Sequence, residues 1–179
     1  MGYGDIGYHT AKTVKAALGM RIIALKRDVS KIEPERRACV DELVDFSGFE
    51  YLCRESDYVI SILPNTPGTK DFFGKEAFGN MKPNCCFMNF GRGESVVEKD
   101  LVEALNGKVI EAAVLDVFTP EPLPQKSELW AMENVFITPH SADAVEDLTG
   151  YACECWKEHF ECWKNGKPLR NVVDVKQGY

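Results

Sequence analysis

Apolar runs and amphipathic segments alternate along the whole chain, and each predicts one element of secondary structure. The apolar runs are short and rich in β-branched and aromatic residues, which is typical of buried strands. Their continuous apolar character favours strands that are covered on both faces, as in a parallel sheet. The predicted strands are Arg21–Leu25, Asp41–Phe46, Tyr58–Leu63, Cys85–Asn89, Ala112–Val117 and Val135–Thr138.

Helical spacing of apolar residues predicts helices between these strands. One helix is expected to begin after the first seven residues and to end at Gly19. Another has Ser47 as its N-cap and ends at Leu52. Further helices are expected at Gly74–Asn80, Glu98–Asn106 and Ala144–Asn165. Strands that alternate with helices predict one parallel, doubly wound α/β sheet of the Rossmann type. We expect residues 1–179 to form a single domain in which residues 144–179 are a C-terminal helix and tail.

A glycine-rich sequence opens the chain, Gly2-Tyr3-Gly4-Asp5-Ile6-Gly7, and it fits the pattern G-x-G-x-x-G. In a dinucleotide-binding loop one glycine permits a tight turn, the next lets the backbone approach a pyrophosphate, and the third lets helix and sheet pack closely. The following helix presents free N–H groups and its positive dipole end to the phosphates. The pattern alone is equally compatible with an ordinary glycine-rich turn, and the helix and strand that follow it favour the dinucleotide loop.

Only Met1 precedes this loop, although a strand normally leads into it. The sequence therefore predicts a sheet that lacks its first strand, which belongs in the centre with a neighbour on each side. Two strands would then keep unpaired backbone groups, each costing about 1–3 kcal/mol if buried. We expect the chain to be incomplete and, alone, catalytically inactive. The alternative is that another segment takes the position of the strand.

Two cations, Lys26 and Arg27, follow the strand Arg21–Leu25. At this position an acidic residue binds the ribose 2′-hydroxyl of NAD, whereas a basic residue suits the 2′-phosphate of NADP. The alternative is a solvated basic loop, and the neighbouring Asp28 counts against a phosphate site. On balance the pair favours NADP over NAD.

Composition and charge exclude several classes of function. The 179-residue chain has a net charge of −7 and no dense run of Lys or Arg, which argues against nucleic acid as a partner. No apolar run reaches the ~18 residues of a membrane span, and no signal peptide is visible. The seven cysteines are an odd set without a C-x-x-C pair. They favour reduced thiols over a metal site, and with them a reducing, cytoplasmic location.

Polar residues follow the predicted strands at their carboxyl ends, where parallel α/β sheets bind ligands. The loop Pro64–Gly68 follows one strand, and Arg92 lies between two glycines after the next. Glu121 lies between two prolines, and His140 comes directly after the last strand. Asp116 lies in an apolar strand, where a carboxylate is costly unless it is satisfied. Each has a plainer interpretation, as a turn, a surface arginine or a structural hydrogen-bonding group.

Several of these motifs occur in a fixed order. They are Gly2–Gly7 with Ala11, Leu63-Pro64 with Thr66, Pro67 and Thr69, Asn89 with Arg92-Gly93, Leu115–Phe118 with Glu121-Pro122, and Thr138–Ala142. Together they resemble the NAD(P)-binding domain of the D-isomer-specific 2-hydroxyacid dehydrogenases, over nearly the whole chain to Asn171–Asp174. The resemblance implies an active site of arginine, glutamate and histidine, which match Arg92, Glu121 and His140.

The residue types suit the chemistry that this resemblance implies. Arg92 can hold the carboxylate of a 2-oxo acid through a two-pronged hydrogen bond. His140 can donate a proton to the carbonyl oxygen as hydride arrives, and take it back in the oxidation. Glu121 can accept a hydrogen bond from the other imidazole nitrogen, which fixes the tautomer and favours the charged form.

The resemblance also implies where the cofactor is bound. Besides Lys26 and Arg27, the implied contacts are Gly2, Gly4, Asp5, Ile6, Gly7, Leu63, Pro64, Phe90, Gly91, Asp116, Ser141 and Ala142. Two features depart from the family pattern. The basic pair replaces the acidic residue of NAD-using members, and the substrate domain, most of which precedes the glycine loop, is absent.

The leading hypothesis is an enzyme, a D-2-hydroxyacid dehydrogenase that reduces small 2-oxo acids of the glyoxylate or hydroxypyruvate type. The rival is a non-enzymatic dinucleotide-binding module, either a redox-sensing partner protein or a truncated remnant, and a third option is a structural domain without a ligand. Family members usually dimerise through this domain, which implies a homodimer. Trp156, Phe160 and Trp163 offer apolar surface for an interface, with core packing as the alternative for each.

Overall fold

A computed structural model of the protein describes residues 1–170, 172–176 and 178. Asn171, which belongs to the C-terminal pattern that resembles the family, lies outside the described residues. The described chain divides into two compact units, Met1–Pro139 and a second unit that begins at His140. Among the described residues, no helix has the length and apolar character that a bilayer span requires.

Strands and helices alternate through the first unit, as the sequence predicts. Its helices are α1 (Asp5–Leu18), α2 (Pro34–Ala38), α3 (Phe49–Glu55), α4 (Lys75–Gly79) and α5 (Glu98–Asn106). Its strands are β1 (Ile23–Leu25), β2 (Glu42–Val44), β3 (Tyr58–Ser61), β4 (Cys86–Asn89), β5 (Ala112–Leu115) and β6 (Val135–Ile137). The second unit contains the long helix α6 (Leu148–Lys164).

The predicted parallel α/β architecture of the Rossmann type is confirmed, with its strands in two parallel sheets. β1 pairs with β2 in the register Ile23 to Glu42 through Leu25 to Val44. The other four strands form a parallel sheet in the order β3-β4-β5-β6. In the described part of the chain no strand lies between β1 and β3, and the predicted sheet is divided at this point.

Met1 and Gly2 lie at the carboxyl end of the gap between the two sheets. The Ile62 N–H, just after β3, donates to the Met1 carbonyl at 3.0 Å. The Gly2 N–H donates to the Leu25 carbonyl of β1 at 3.2 Å. These bonds bring the glycine loop to the carboxyl ends of both strands, where the sequence places the site.

The main core surrounds the larger sheet and is built on aromatic rings. Phe73, Phe78 and Phe87 are fully buried, and the Phe87 ring centroid lies 4.8 Å from that of Phe73 and 5.4 Å from that of Phe78. Full burial of one such side chain contributes about 1.5–3 kcal/mol. Phe87 lies in β4, so this cluster fixes the strand whose carboxyl end leads to Arg92.

Side-chain caps explain where helices depart from the predicted bounds. Ser47 is not the N-cap of a helix, because Asp45 accepts the Ser47 N–H at 2.9 Å and caps a one-turn 3₁₀ helix that precedes α3. α6 begins directly after Asp147, whose carboxylate accepts the Gly150 N–H at 2.8 Å. α1 ends as predicted, with Gly19 in the left-handed conformation at a φ of 64°.

Candidate active site

The carboxyl ends of β3, β4, β5 and β6 lie along one edge of the larger sheet, because these strands are parallel neighbours. The loops after β3, β4 and β5 carry Leu63 and Pro64, then Phe90–Arg92, then Asp116–Glu121. The glycine loop reaches the same edge through the hydrogen bonds of Met1. The structure thus brings together the predicted site residues of the first unit.

Two glycines of the opening loop are required by close packing. Gly2 has a φ of 84°, and a Cβ there would lie 2.5 Å from the Ile62 carbonyl oxygen. A Cβ at Gly7 would lie 2.5 Å from the Gly2 carbonyl oxygen, so glycine lets α1 approach the turn. Gly4, by contrast, is exposed, with no heavy atom within 4 Å of the place of a Cβ. This open space beside the free N–H groups of the first turn of α1 fits a pyrophosphate.

Asp5 and Ile6 are exposed in the first turn of α1, where cofactor contacts are expected. The Asp5 carboxylate accepts a hydrogen bond from Arg36 of α2, which raises the pKa of Arg36. The Arg36 carbonyl in turn accepts from the Tyr3 hydroxyl at 2.9 Å. Arg36 is a cation beside the glycine loop that sequence reasoning missed. The sequence shows only that Arg36 is a basic residue in the segment after Lys26, and this does not reveal its contact with Asp5.

Lys26 and Arg27 follow β1 and lie at the adenosine end of the predicted site. The Lys26 ammonium is 3.5 Å from the Tyr3 carbonyl oxygen, so it lies against the glycine loop. Arg27 is exposed. Asp28 counted against a phosphate site in the sequence. Its carboxylate accepts hydrogen bonds from the hydroxyl and the N–H of Ser30, and these bonds lower the pKa of Asp28. The Lys26 ammonium is therefore the cation that the structure places against the glycine loop.

The loop after β3 is held by a threonine that the sequence did not single out as a site residue. The Thr69 hydroxyl donates to the Pro64 carbonyl at 2.6 Å and accepts the Thr66 N–H at 2.9 Å. Leu63 is buried beneath this loop. A Cβ at Gly91 would lie 2.6 Å from the Leu63 carbonyl oxygen, so glycine is needed where the loops after β3 and β4 meet.

Asn89, the last residue of β4, positions the loop that carries Arg92. Its buried amide accepts the Gly91 N–H and donates to the Arg92 carbonyl, both at 3.1 Å. The Ser95 hydroxyl donates to the same carbonyl at 2.8 Å. The Arg92 side chain itself is exposed, and its Nη1 donates to the Gly91 carbonyl at 2.7 Å. An exposed guanidinium on a fixed backbone suits the recognition of a carboxylate.

Glu121 lies on the next loop, which contacts the Arg92 loop. The Phe118 N–H donates to Glu121 Oε1 at 2.9 Å. Gly93 packs on Phe118 so closely that a Cβ at Gly93 would lie 1.9 Å from the Phe118 carbonyl oxygen. Asp116, only 2% exposed, accepts a hydrogen bond from the Thr138 hydroxyl. Arg92 and Glu121 are therefore held on touching loops. The hydrogen bond from Thr138 offsets part of the cost of burying the Asp116 carboxylate.

His140, Ser141 and Ala142 belong to the second unit, and their roles remain predictions. His140 is exposed and has a φ of 52°, in the left-handed region that non-glycine residues rarely occupy. Backbone conformations of this kind cost about 1–3 kcal/mol and concentrate at functional sites. Within the described ranges, no group of three or more His, Cys, Asp or Glu residues is placed to hold a metal ion.

Comparisons with known proteins identify similar sequences and structures. Residues 1–142 match the family model of the D-isomer specific 2-hydroxyacid dehydrogenase, NAD binding domain. A glyoxylate/hydroxypyruvate reductase B of Shigella boydii is 36% identical over 177 residues, which cover 97% of this chain and 52% of the relative.

Two solved structures share the α/β, Rossmann-like fold. An NADPH-dependent glyoxylate/hydroxypyruvate reductase of Sinorhizobium meliloti, in complex with NADP and sulfate, has a TM-score of 0.87 and 35% identity. The match covers 100% of this chain and 55% of that one. A D-isomer specific 2-hydroxyacid dehydrogenase of Xanthobacter autotrophicus, in complex with NADPH, has a TM-score of 0.85 and 32% identity, covering 99% of this chain and 70% of that one. The chain spans about half the length of the curated relatives it matches.

Proposed function

The chain belongs to the D-isomer-specific 2-hydroxyacid dehydrogenase family, through its NAD-binding domain, and we propose that it supplies the cofactor site and the acid–base group of an NAD(P)-dependent 2-oxo acid reductase. The observation that carries the proposal is the contact of Gly93 with Phe118. Because of it, Arg92 and Glu121 lie on touching loops, at the sheet edge that the glycine loop also reaches.

Each residue has a defined task in the proposed reaction. When bound, the nicotinamide cofactor supplies the hydride that adds to the carbonyl carbon. Arg92 binds the carboxylate of the 2-oxo acid through two N–H groups, on a backbone that Asn89 holds in place. His140 donates a proton to the carbonyl oxygen, so hydride and proton together convert the ketone or aldehyde to a hydroxyl. For Glu121 we propose the role that the family resemblance implies, which is to favour the protonated form of the imidazole.

A chimera tests this proposal with a complete polypeptide. In it, residues 1–179 replace the matching region of the Sinorhizobium meliloti reductase. We expect glyoxylate or hydroxypyruvate to drive NADPH oxidation at about 1–1000 per second. A chimera that binds the cofactor without turnover, while the parent reductase is active in the same assay, would favour the non-enzymatic dinucleotide-binding module.

The cofactor is proposed to be NADP(H) rather than NAD(H). Lys26 and Arg27 support this choice, since both are cations directly after β1 that would attract a 2′-phosphate, and the Lys26 ammonium lies against the glycine loop. NADP is bound in the structures of the Sinorhizobium and Xanthobacter relatives, as NADP and as NADPH respectively.

Reversing the charge at this position is expected to change the cofactor preference. Lys26→Asp with Arg27→Ser should lower the NADP-to-NAD affinity ratio about 10–100-fold, because a hydrogen bond to a charged group contributes about 1.5–3 kcal/mol. Titration calorimetry with both oxidised cofactors measures the ratio. Lys99→Asp with Lys108→Ser changes the net charge equally, away from the site, and should leave the ratio unchanged. Equal affinity of the unmodified chain for NAD and NADP would contradict the assignment.

A reducing, cytoplasmic location is proposed from the cysteines. All seven are free thiols. Burial raises the pKa of Cys53 to about 12 and that of Cys85 to about 11, so both remain protonated and unreactive at neutral pH. Free thiols in this number are typical of proteins that are kept reduced.

A homodimer is proposed from the apolar surface of α6. Trp156, Phe160 and Trp163 share one helical face and are 77%, 56% and 70% exposed. Aromatic residues are enriched at protein interfaces. Light scattering of the unmodified chain should give the mass of a dimer, and Trp156→Ala with Phe160→Ala should shift it toward the monomer. Lys157→Ala with Glu161→Ala is the control on the same helix. A monomer at all concentrations would rule out this interface.

A further inference from the structure

A carboxylate lies beside the place where the glycine loop fits a pyrophosphate. Asp5 is the first residue of α1, directly after Gly4, and its side chain is 57% exposed. The positive end of the helix dipole favours an anion at this position. A pyrophosphate bound by the same first turn is also negatively charged, so an uncompensated Asp5 would repel it. The loop therefore needs a cation that neutralises Asp5.

Arg36 of α2 provides this positive charge and shares it with a second carboxylate. Its Nη2 donates a hydrogen bond to Asp5 Oδ1, and its Nε lies 3.2 Å from Glu33 Oε2. Within the described part of the chain, Arg36 is the only ion-pair partner of Asp5. Without the guanidinium, the carboxylate of Asp5 would face the glycine loop uncompensated, and Glu33 would lose its cation as well.

Two buried tyrosines fix the position of Arg36. The hydroxyl of Tyr3, which lies between the first two glycines, donates to the Arg36 carbonyl at 2.9 Å. Tyr8 of α1 donates to Glu35 Oε1 at 2.6 Å, and its ring centre lies 5.0 Å from the guanidinium carbon of Arg36. This distance is that of a cation–π contact. The backbone and the side chain of Arg36 are thus both tied to the region that carries Asp5.

The neighbouring cations have other contacts. The Lys12 ammonium lies 3.9 Å from Glu35 Oε1 and faces the Tyr8 ring. Arg37 Nη1 donates to the Val40 carbonyl at 3.1 Å. The Lys26 ammonium lies against the glycine loop itself, 3.5 Å from the Tyr3 carbonyl oxygen. Neutralisation of Asp5 is therefore a task of Arg36.

We propose that Arg36 is a positioning residue for the dinucleotide, which neutralises Asp5 and thereby lets the pyrophosphate bind at the first turn of α1. This inference rests on the proposed function, because it requires a dinucleotide at the glycine loop. The pyrophosphate is common to NAD and NADP, so Arg36 raises the affinity for both equally. Lys26 and Arg27 differ in this respect, since the 2′-phosphate proposed for them occurs in NADP alone.

The exposure of the ion pair separates this role from a structural one. Exposed ion pairs contribute little to the free energy of unfolding. Loss of the Arg36 charge should therefore cost little stability, while the Asp5 charge remains beside the phosphates. Near a protein surface, a unit charge several ångströms from a phosphate is expected to change affinity by about tenfold.

Titration calorimetry with NAD and NADP on the 179-residue chain tests the proposal. Arg36→Gln removes the charge and keeps much of the side-chain length. We expect both affinities to fall about tenfold at low salt, with the NADP-to-NAD ratio unchanged within about twofold. In an Asp5→Asn background the same change should weaken binding less than about threefold, because the anion is gone. Arg36→Lys, which keeps the charge, should recover most of the affinity.

An ion pair of the same type on α3 is the matched control. Arg54 Nη2 donates to Glu50 Oε1, and both side chains are exposed. Arg54→Gln should leave both affinities unchanged, and its urea midpoint should shift by a small amount similar to that of Arg36→Gln. At 1 M salt, where the Debye length is about 3 Å, the effect of Arg36→Gln on affinity should fall below about threefold, as only a charge effect would.

Asp5→Asn alone gives a measurement that does not depend on the folding of an Arg36 variant. It leaves the Arg36 charge uncompensated and should raise both affinities, so weaker binding would contradict the proposal. Unchanged affinity in Arg36→Gln, an equal loss with and without the Asp5 carboxylate, or a loss confined to NADP would overturn it. A chain that binds neither cofactor would overturn the proposed cofactor site as well. A chimera that binds the cofactor without turnover would refute the reductase function alone.

Discussion

Replacing His140 by alanine is expected to lower the kcat of the chimera for glyoxylate by about 10²–10⁴-fold while changing NADPH affinity by less than about twofold. A positioned general acid delivers the proton that the carbonyl oxygen takes up, so its loss removes about 3–5 kcal/mol of transition-state stabilisation. Cofactor affinity is preserved because Gly4 and Lys26, which carry the proposed phosphate contacts, are unchanged. Steady-state kinetics and titration calorimetry on the same preparation separate the two effects.

The control for this variant is another histidine of the second unit. His159 of α6 lies 2.7 Å from the Cys155 carbonyl and 2.9 Å from the Arg170 carbonyl, which indicates a structural role. His159→Ala should therefore lower stability and leave kcat within about twofold of the unmodified chimera. If His140→Ala turns over at the unmodified rate, His140 is not the proton donor, whatever the result at His159.

The strands could be predicted because burial between two layers imposes a local requirement on composition. A run such as Cys85–Asn89 must be apolar wherever its neighbours lie, and the strand is found at Cys86–Asn89. The amphipathic pattern of Glu98–Asn106 gives α5 with the same bounds. The glycine roles were also predictable, since the close approach of Gly7 to Gly2 follows from the spacing of the motif.

The pairing of the strands and the contacts that position the site loops could not be predicted, because both depend on groups far apart along the chain. An apolar run predicts a strand but not its partner, and the division of the sheet between β1 and β3 is a property of the pair. Asn89 and Thr69 belong to the ordered sequence motifs, but the sequence does not reveal which backbone groups of their loops the two side chains bind. Arg36 becomes relevant only when α2 packs beside the Asp5 carboxylate.

Replacing Gly93 by alanine is expected to destabilise the chain by about 3 kcal/mol or more. The added Cβ would lie 1.9 Å from the carbonyl oxygen and 2.1 Å from the carbonyl carbon of Phe118, so backbone would have to move. Overpacking at a buried site costs about 1–3 kcal/mol and occasionally more, and the stability of a whole domain is only about 5–15 kcal/mol. Urea denaturation of the 179-residue chain measures the loss of unfolding free energy.

The matched control is Gly79→Ala, at the end of α4. No heavy atom lies within 4 Å of the place of its Cβ, and the position is exposed and helical, so alanine should be neutral or stabilise by up to about 1 kcal/mol. The difference between the two variants isolates the contact of Gly93 with Phe118 from the general effect of replacing glycine. Since this contact holds the loop of Arg92 against the loop of Glu121, equal stability of the two variants would contradict both the packing and the arrangement on which the proposed reaction depends.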